Sequence, residues 1–400
     1  MSKSNETTPN VPTLRFKRYT TEWTKINLSN YLCVSSKRNK DGRFSKEDVL
    51  SVSGELGIVN QIALLGRSYA GESVLPYHIV EKGDIVYTKS PLALYPYGII
   101  KTNRNKVGIV STLYAVYKTK DNANNRFIEH YFSLKSRINN YLKPIVRIGA
   151  KHDMKIGNNE VLENIVAFPD ISEQCEIADF LDLLDNRISV QNKIISKYET
   201  LIKGLSCDYF SKQPNHIAKL KDLIIKGKAG GTPSSTIAEY YNGNIPFLSI
   251  SDMTRQGKYV EFTEKHISEN GLANSSAWIV PSNSLILSMY ASVGLVCINK
   301  VPLATSQAMF SMVLKDCNML DYIYYYLNFF RETQIHRLLE TGTQSNINAD
   351  TVRDIEIPFY SNIFVFVKTL QAIENRLNNE KDMLSRLMDL KTYLLSSLFI

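Results

Sequence analysis

Cysteine is scarce and scattered in this 400-residue chain. Its five cysteines stand singly at 33, 175, 207, 297 and 317, and no Cys-x-x-Cys occurs. That excludes a disulfide framework or a cysteine zinc site and implies a reducing, cytoplasmic setting with free thiols. Long apolar runs are also missing. The most apolar late stretch, Leu285–Ile298, is broken by Ser288, Ser292 and Gly294. It falls short of the ~20 residues that span a bilayer, so no membrane role is expected. Met1–Asn10 is polar and carries no apolar core of a signal peptide. The six histidines (78, 130, 152, 216, 266 and 336) show no metal-ligand spacing, so no metal site is expected.

Catalytic motifs are lacking too. No Gly-x-Gly-x-x-Gly is present, and Gly227-Lys228 leads to Ala229 without the upstream glycine of a P-loop. Neither Asn-Pro-Pro-aromatic nor Asp-Pro-Pro-aromatic occurs, as an amino-methyltransferase would need to grip a base amine. Asp153-Met-Lys155 has no upstream Pro-Asp to complete a nuclease metal site, and no Gly-x-Ser-x-Gly elbow is found. The expectation is a non-enzyme with no catalytic residues.

What the chain does have is uneven charge and an internal repeat. Residues 1–165 hold 25 basic and 14 acidic side chains, whereas 166–211 hold 4 and 8. A basic first block suits a polyanionic partner. Leu181-Asp-Leu-Leu-Asp-Asn-Arg-Ile188 lies over Leu370-Gln-Ala-Ile-Glu-Asn-Arg-Leu377, so Arg187 falls on Arg376. Upstream, Ile165–Pro169 lies over Asp354–Pro358, Gly149 over Gly342, and Leu50–Ser53 over Leu248–Ser251. Each half reads as a globular unit followed by a long helix.

In the first helix Ile177, Leu181, Leu184, Ile188, Gln191, Ile195, Tyr198, Ile202 and Leu205 step alternately by four and three. Leu370, Ile373, Leu377, Glu380, Leu384, Leu387, Lys391, Leu394 and Leu398 do the same in the second. This is a coiled-coil seam, about 60 Å long at about 1.5 Å per residue. Asp170 with Glu173 has the spacing of a capping box. Two such helices in one chain most simply pair with each other. The expected architecture is α+β: two pseudo-two-fold-related mixed α/β recognition domains joined by a long antiparallel two-helix coiled coil. The boundaries are 1–168 for the first domain, 169–211 for the central helix, 212–357 for the second domain and 358–400 for the last helix. Short strands are expected around 84–87, 107–110, 113–117, 245–250, 284–287 and 309–314, with helices over 126–142 and 319–339.

Candidate nucleic-acid contacts cluster in loops. In the first unit they are Lys37, Arg38, Lys40 and Arg43, then Lys89, then Arg147 and Lys151 at the glycine turn. In the second they are Lys228, Thr232 and Ser234 of a Gly-Gly-Thr-Pro-Ser loop, then Arg255 and Lys258, then Gln344 and Asn346. Arginine reads guanine and glutamine or asparagine reads adenine through paired bonds, while lysine mostly engages phosphate.

Pro169, Glu173-Gln174, Ile177 and Leu184-Asp185 resemble the signature that opens the conserved helix of type I restriction–modification specificity subunits. Gly230–Ser234, Tyr240–Pro246, Pro281 and Gly294 resemble that family's target-recognition pattern. The resemblance covers about Thr13 to Ile400. It implies a non-catalytic subunit whose two recognition domains each read one half of a bipartite double-stranded DNA target. It implies helices that set the gap, holding the two units about one DNA turn apart, and dock two methyltransferase subunits, with restriction/translocase subunits joining them. S-adenosylmethionine, ATP and Mg would sit on those partners, with no cofactor in this chain. Glu173, Gln174, Asp185, Arg187 and Arg376 would lie at the partner interface. The second helix departs from the pattern, opening Pro358-Phe-Tyr-Ser-Asn362-Ile363, and the first unit lacks the Gly-Gly-Thr-Pro-Ser loop. The alternatives are a protein-binding scaffold without DNA specificity, a specificity subunit of a related methyltransferase/nuclease system, or a cryptic enzyme.

Overall fold

The computed structural model describes residues 10–92, 94–148, 154–337 and 346–400. Two compact units form, one from Met1–Asn192 with Asp382–Ile400 and the other from Lys193–Lys381. The division falls inside each long helix, because each helix half packs into the unit it touches.

Both units repeat one plan. In the first, a four-stranded antiparallel sheet runs in the order Leu32–Val34, Tyr114–Thr119, Ile85–Thr88, Ile100–Thr102. In the second, Ile224–Ala229, Met309–Leu314, Leu285–Ser288 and Val296–Asn299 take the same order, and Tyr259–Val260 adds a parallel edge. Central strands such as Ile85–Thr88 and Leu285–Ser288 are buried along their length, as runs of apolar residues without alternation require. Each unit is closed by an antiparallel pair just before its long helix: Thr24–Asn27 with Ile165–Phe168, and His216–Lys219 with Glu356–Phe359.

The tight turns match as well. Gly98 has φ +88° and Gly294 φ +77°. A methyl group on Gly98 would meet the Thr88 carbonyl oxygen at 2.0 Å, and one on Gly294 would meet the Ile335 side chain at 2.3 Å. Backbone excludes any side chain at Gly98, and the positive φ favours glycine at both places.

Other repeat expectations are revised. Leu50–Ser53 is a hairpin strand, whereas Leu248 ends a strand and the chain enters the helix Ile250–Gln256, so these segments are not equivalent. The helix expected over 126–142 is two, Asn125–Tyr131 and Lys135–Leu142. The break lets Phe132 turn onto Tyr141, with ring centroids 4.9 Å apart. The Gly149–Gly342 pair lies outside the described residues.

The long helices span Ile171–Phe210, 40 residues, and Ile363–Ser397, 35 residues. Every seam position read from the heptads is buried or half-buried, while Leu183, Leu201, Met388 and Leu390 off the seam are exposed. In the first unit Ile177, Ala178 and Leu181 share a core with Leu394, Leu395, Leu398 and Phe399. In the second, Tyr209 and Phe210 share one with Ile363, Phe366, Val367 and Leu370. Within each unit, partners advance on one helix segment as they recede on the other, so the paired segments run antiparallel. Asp185–Lys391 at 2.5 Å and Glu199–Lys381 at 2.9 Å are ion pairs between them.

Candidate nucleic-acid interface and helix anchors

Each globular part is fastened to a long helix by charge. In the first unit Asp182 accepts from Arg104 at 2.7 Å and Arg126 at 2.9 Å and lies 2.9 Å from His130 Nε2. Burial works to raise the Asp182 carboxyl. The bonds and charges of His130 and Arg104 overcome it and hold the group well below the usual carboxylate range. In the second unit Lys258, 10% exposed, lies 2.8 Å from Asp321 and 2.7 Å from Glu374, while Gln371 donates to Asp321 at 2.7 Å. The repeat alignment of the two helices places Asp182 over Gln371 and Asp185 over Glu374. The anchors therefore occupy corresponding helix positions.

A depressed native pKa contributes stability above the ordinary Asp value near about 4, and that stability is lost as pH falls. Asp182→Asn is expected to cost about 1–3 kcal/mol at neutral pH, because charge-assisted hydrogen bonds are lost. Wild type and variant should draw together progressively as pH falls below about 4 towards the depressed native value. Urea midpoints at neutral and acid pH check both statements.

His130, Asp182 and Asp185 bring ligand atoms within 4.8 Å of one another. Arg104, Arg126 and Lys391 already meet their negative charge, so the group is an ion-pair cluster.

The candidate DNA residues divide by how free they are. Asn39, fully buried, donates to the Phe44 carbonyl at 2.8 Å and accepts from Phe44 N–H at 3.0 Å, which shapes the Lys37–Arg43 loop. Lys40 and Arg43 are exposed on it, and Arg43 lies over the Phe44 ring. Lys37 pairs with Glu81 at 2.6 Å; Lys118, and then Lys37, bring that carboxyl down to about 2. Arg38 donates to the Pro76 carbonyl and bridges to His78, whose imidazole is pushed down to about 4, chiefly by burial and then by Arg38 and Lys89. Arg147 is exposed on the short strand Arg147–Ile148. In the second unit Lys228 and Ser234 are exposed, Thr232 donates to Gln307 Oε1, and Asn346 is half-buried. Lys40, Arg43, Arg147 and Lys228 make no ion pair among the described residues.

Several assignments need correcting. Lys258 is the half-buried anchor just described, its ammonium held between two carboxylates and not available to phosphate. Lys89 donates to the Ile156 carbonyl at 2.9 Å and to Asn158 at 2.6 Å, tying one loop to the next, and burial lowers its pKa. Arg255 is neutralised by Asp252 and Glu264. Lys151 and Gln344 lie outside the described residues.

Of the interface residues, Glu173 is 1% exposed and accepts two bonds from Arg15 at 2.7 Å, in place of the expected capping box. Gln174 is fully buried and holds the Asn122 and Pro169 carbonyls and the Asn124 N–H. Both organise the first unit internally and cannot touch a partner. Arg187 is exposed, and Arg376, 61% exposed, pairs with Glu380. Asp185 is half-buried on Lys391. Sequence reasoning missed Arg15, Asn39, Gln307 and the Tyr290–Ser292 turn. Of these, only Asn39 had a nearby signal, the Asp41-Gly42 turn that follows it.

A family model described as type I restriction modification DNA specificity domain matches residues 76–200 and 214–381. The type I restriction enzyme MjaIX specificity subunit of Methanocaldococcus jannaschii is 30% identical over 147 residues, 36% of this chain and 34% of that protein. The HindI specificity subunit of Haemophilus influenzae is 32% identical over 180 residues, 43% of this chain and 38% of that protein. The chain thus spans little more than a third of the length of these relatives in the matched region. The solved type I restriction–modification S subunit from M. genitalium aligns over 98% of this chain and 99% of its own, with TM-score 0.60 at 14% identity. A chain from a structural study of type I R-M complex assembly covers 94% of this one and 97% of its own, with TM-score 0.57 at 14% identity. No described helix is long and apolar enough to cross a membrane.

Proposed function

Because the chain belongs to the type I restriction–modification DNA specificity family, we propose that it is the sequence-reading subunit of a type I restriction–modification complex. Each unit reads one half of a bipartite double-stranded target. Two methyltransferase subunits dock on the long helices, and restriction/translocase subunits join them. The chain performs no chemistry itself. S-adenosylmethionine, ATP and Mg are used by the partners, in the cytoplasm.

The observation that carries this reading is the duplication. Two units have the same sheet order and the same closing strand pair, and each is fastened to its helix at a corresponding position. Two readers on one chain suit an asymmetric two-part target. Exposed cations without ion-pair partners among the described residues, including Lys40, Arg43, Arg147 and Lys228, supply phosphate contacts.

The test is salt-dependent binding of the chain, reconstituted with its methyltransferase partner, to duplex DNA. Phosphate contacts release counterions, so affinity should fall steeply and linearly in log–log form. Salt-independent binding would point to a scaffold without a DNA role.

A further inference from the structure

One end of the second unit gathers four segments that the sequence keeps far apart. Met289 N–H donates to the Ala308 carbonyl at 2.8 Å, Ile347 N–H to the Met289 carbonyl at 3.2 Å, and Gly230 N–H to the Met309 carbonyl at 3.1 Å. The Gly-Gly-Thr loop, the turn after Leu285–Ser288, the turn before Met309–Leu314 and the segment at Asn346 are thereby joined.

Within this cluster the backbone is strained. Ala291 and Ser292 are consecutive non-glycine residues with φ +38° and +56°, a conformation that persists only where the surroundings impose it. Here they do. The buried Ser288 hydroxyl lies within hydrogen-bond distance of both the Tyr290 and Ala291 carbonyls, Gly294 N–H donates to the Ser288 carbonyl, and Leu295 N–H donates to the Ser292 carbonyl. What this rigid turn presents is Tyr290, a large ring left 41% exposed. On the turn joined to this one by the Met289–Ala308 bond, the exposed Gln307 is oriented by Thr232, whose hydroxyl donates to its Oε1. Its amide nitrogen makes no hydrogen bond among the described residues. The Arg331 side chain lies along Gly294, and its guanidinium has no partner among the described residues.

Resting on the specificity-subunit reading above, we propose that Gln307 and Tyr290 are specificity-determining residues of the second unit. Gln307 reads an adenine edge, and Tyr290 makes a rigid apolar contact with the neighbouring base. An oriented carboxamide offers one acceptor and one donor side by side, the pattern that pairs with adenine in the major groove. A pinned aromatic supplies contact area with little entropy to lose. Arg331 holds phosphate nearby.

The experiment uses the full chain with its methyltransferase partner. The target is first defined by mapping modified adenines in cells carrying the wild-type complex. Affinity is then measured by fluorescence anisotropy for that duplex and for two duplexes with one or the other half scrambled. Gln307→Ala should weaken binding to the intact duplex roughly 5- to 150-fold, the worth of one bidentate base contact. It should leave affinity unchanged when one particular half is scrambled. Gln307→Glu, which keeps the volume but loses the donor, should do the same, and Thr232→Val should show a smaller loss of the same kind. Tyr290→Ala should act on the same half. Wild-type affinity of Gln307→Ala for the intact duplex would overturn the proposal, as would an equal loss on all three duplexes. A wild-type complex that bound all three alike would overturn the specificity-subunit reading itself, and this inference with it.

Discussion

Replacing Lys258 by methionine is expected to destabilise the second unit by about 3 kcal/mol, the low end of the cost of stranding buried charge, because Lys258 and the two carboxylates it faces are half-buried. The ammonium lies between Asp321 and Glu374, within 4.2 Å of the Tyr325 ring centroid and 5.0 Å of the Tyr324 ring centroid. Tyr325 also donates its hydroxyl to Glu374 at 2.5 Å. Burial alone would lower the Lys258 pKa, but Glu374 and Asp321 raise it, so the group is charged and bound in place. Methionine fills the space and leaves two carboxylates facing each other among rings. The loss should be greatest above the carboxylate range and shrink in acid, because the Asp321 pKa is depressed in the native state. Native hydrogen exchange of the helix Leu320–Thr333 measures it regionally, which matters where two units need not unfold together. A change below about 1 kcal/mol would place Lys258 among ordinary surface pairs and remove the anchor argument.

Phe399→Ala is expected to cost the first unit about 3–5 kcal/mol. This penultimate residue is 3% exposed, with ring centroids 5.2 Å from Phe127, 5.7 Å from Tyr131 and 6.4 Å from Trp23. The Arg137 guanidinium covers it and donates to the Leu395 carbonyl at 2.9 Å. Leu14 N–H and the Thr13 hydroxyl donate to the Ser397 carbonyl. The end of the chain therefore completes the core of its beginning. The chain has two tryptophans, Trp23 and Trp278, one in each unit. In a Trp278→Phe background the fluorescence of Trp23 reports the first unit alone. Denaturant midpoints unaltered by Phe399→Ala would show that the helix end only covers the surface.

The parts of this architecture legible in the sequence were those written as periodicity. A seam stepping by four and three fixes which helix face is buried whatever surrounds it, and Ile177 through Leu398 followed it. The matching Asn-Arg steps at 186–187 and 375–376 exposed the duplication. Charge was read less well, because composition does not say which partner a side chain finds. Lys258 and Arg255 read as free cations, yet Lys258 meets carboxylates brought from far along the chain, and Arg255 meets Asp252 on its own helix and Glu264 just beyond it. Glu173 and Gln174 read as an outward docking signature, yet Arg15, Asn122 and Asn124 draw them inside. Gln307 and Tyr290 were invisible because nothing local marks them. They matter through Thr232 and Ser288, and through a left-handed Ala291-Ser292 turn that propensity alone would never place there.

The most direct test of two readers on one chain is to sequence modified adenines in cells carrying this chain with its partner subunits. The account predicts one bipartite motif, two specified blocks separated by bases of any identity, and Gln307→Ala relaxing only one block. A single uninterrupted motif, or modification with no sequence preference, would contradict it.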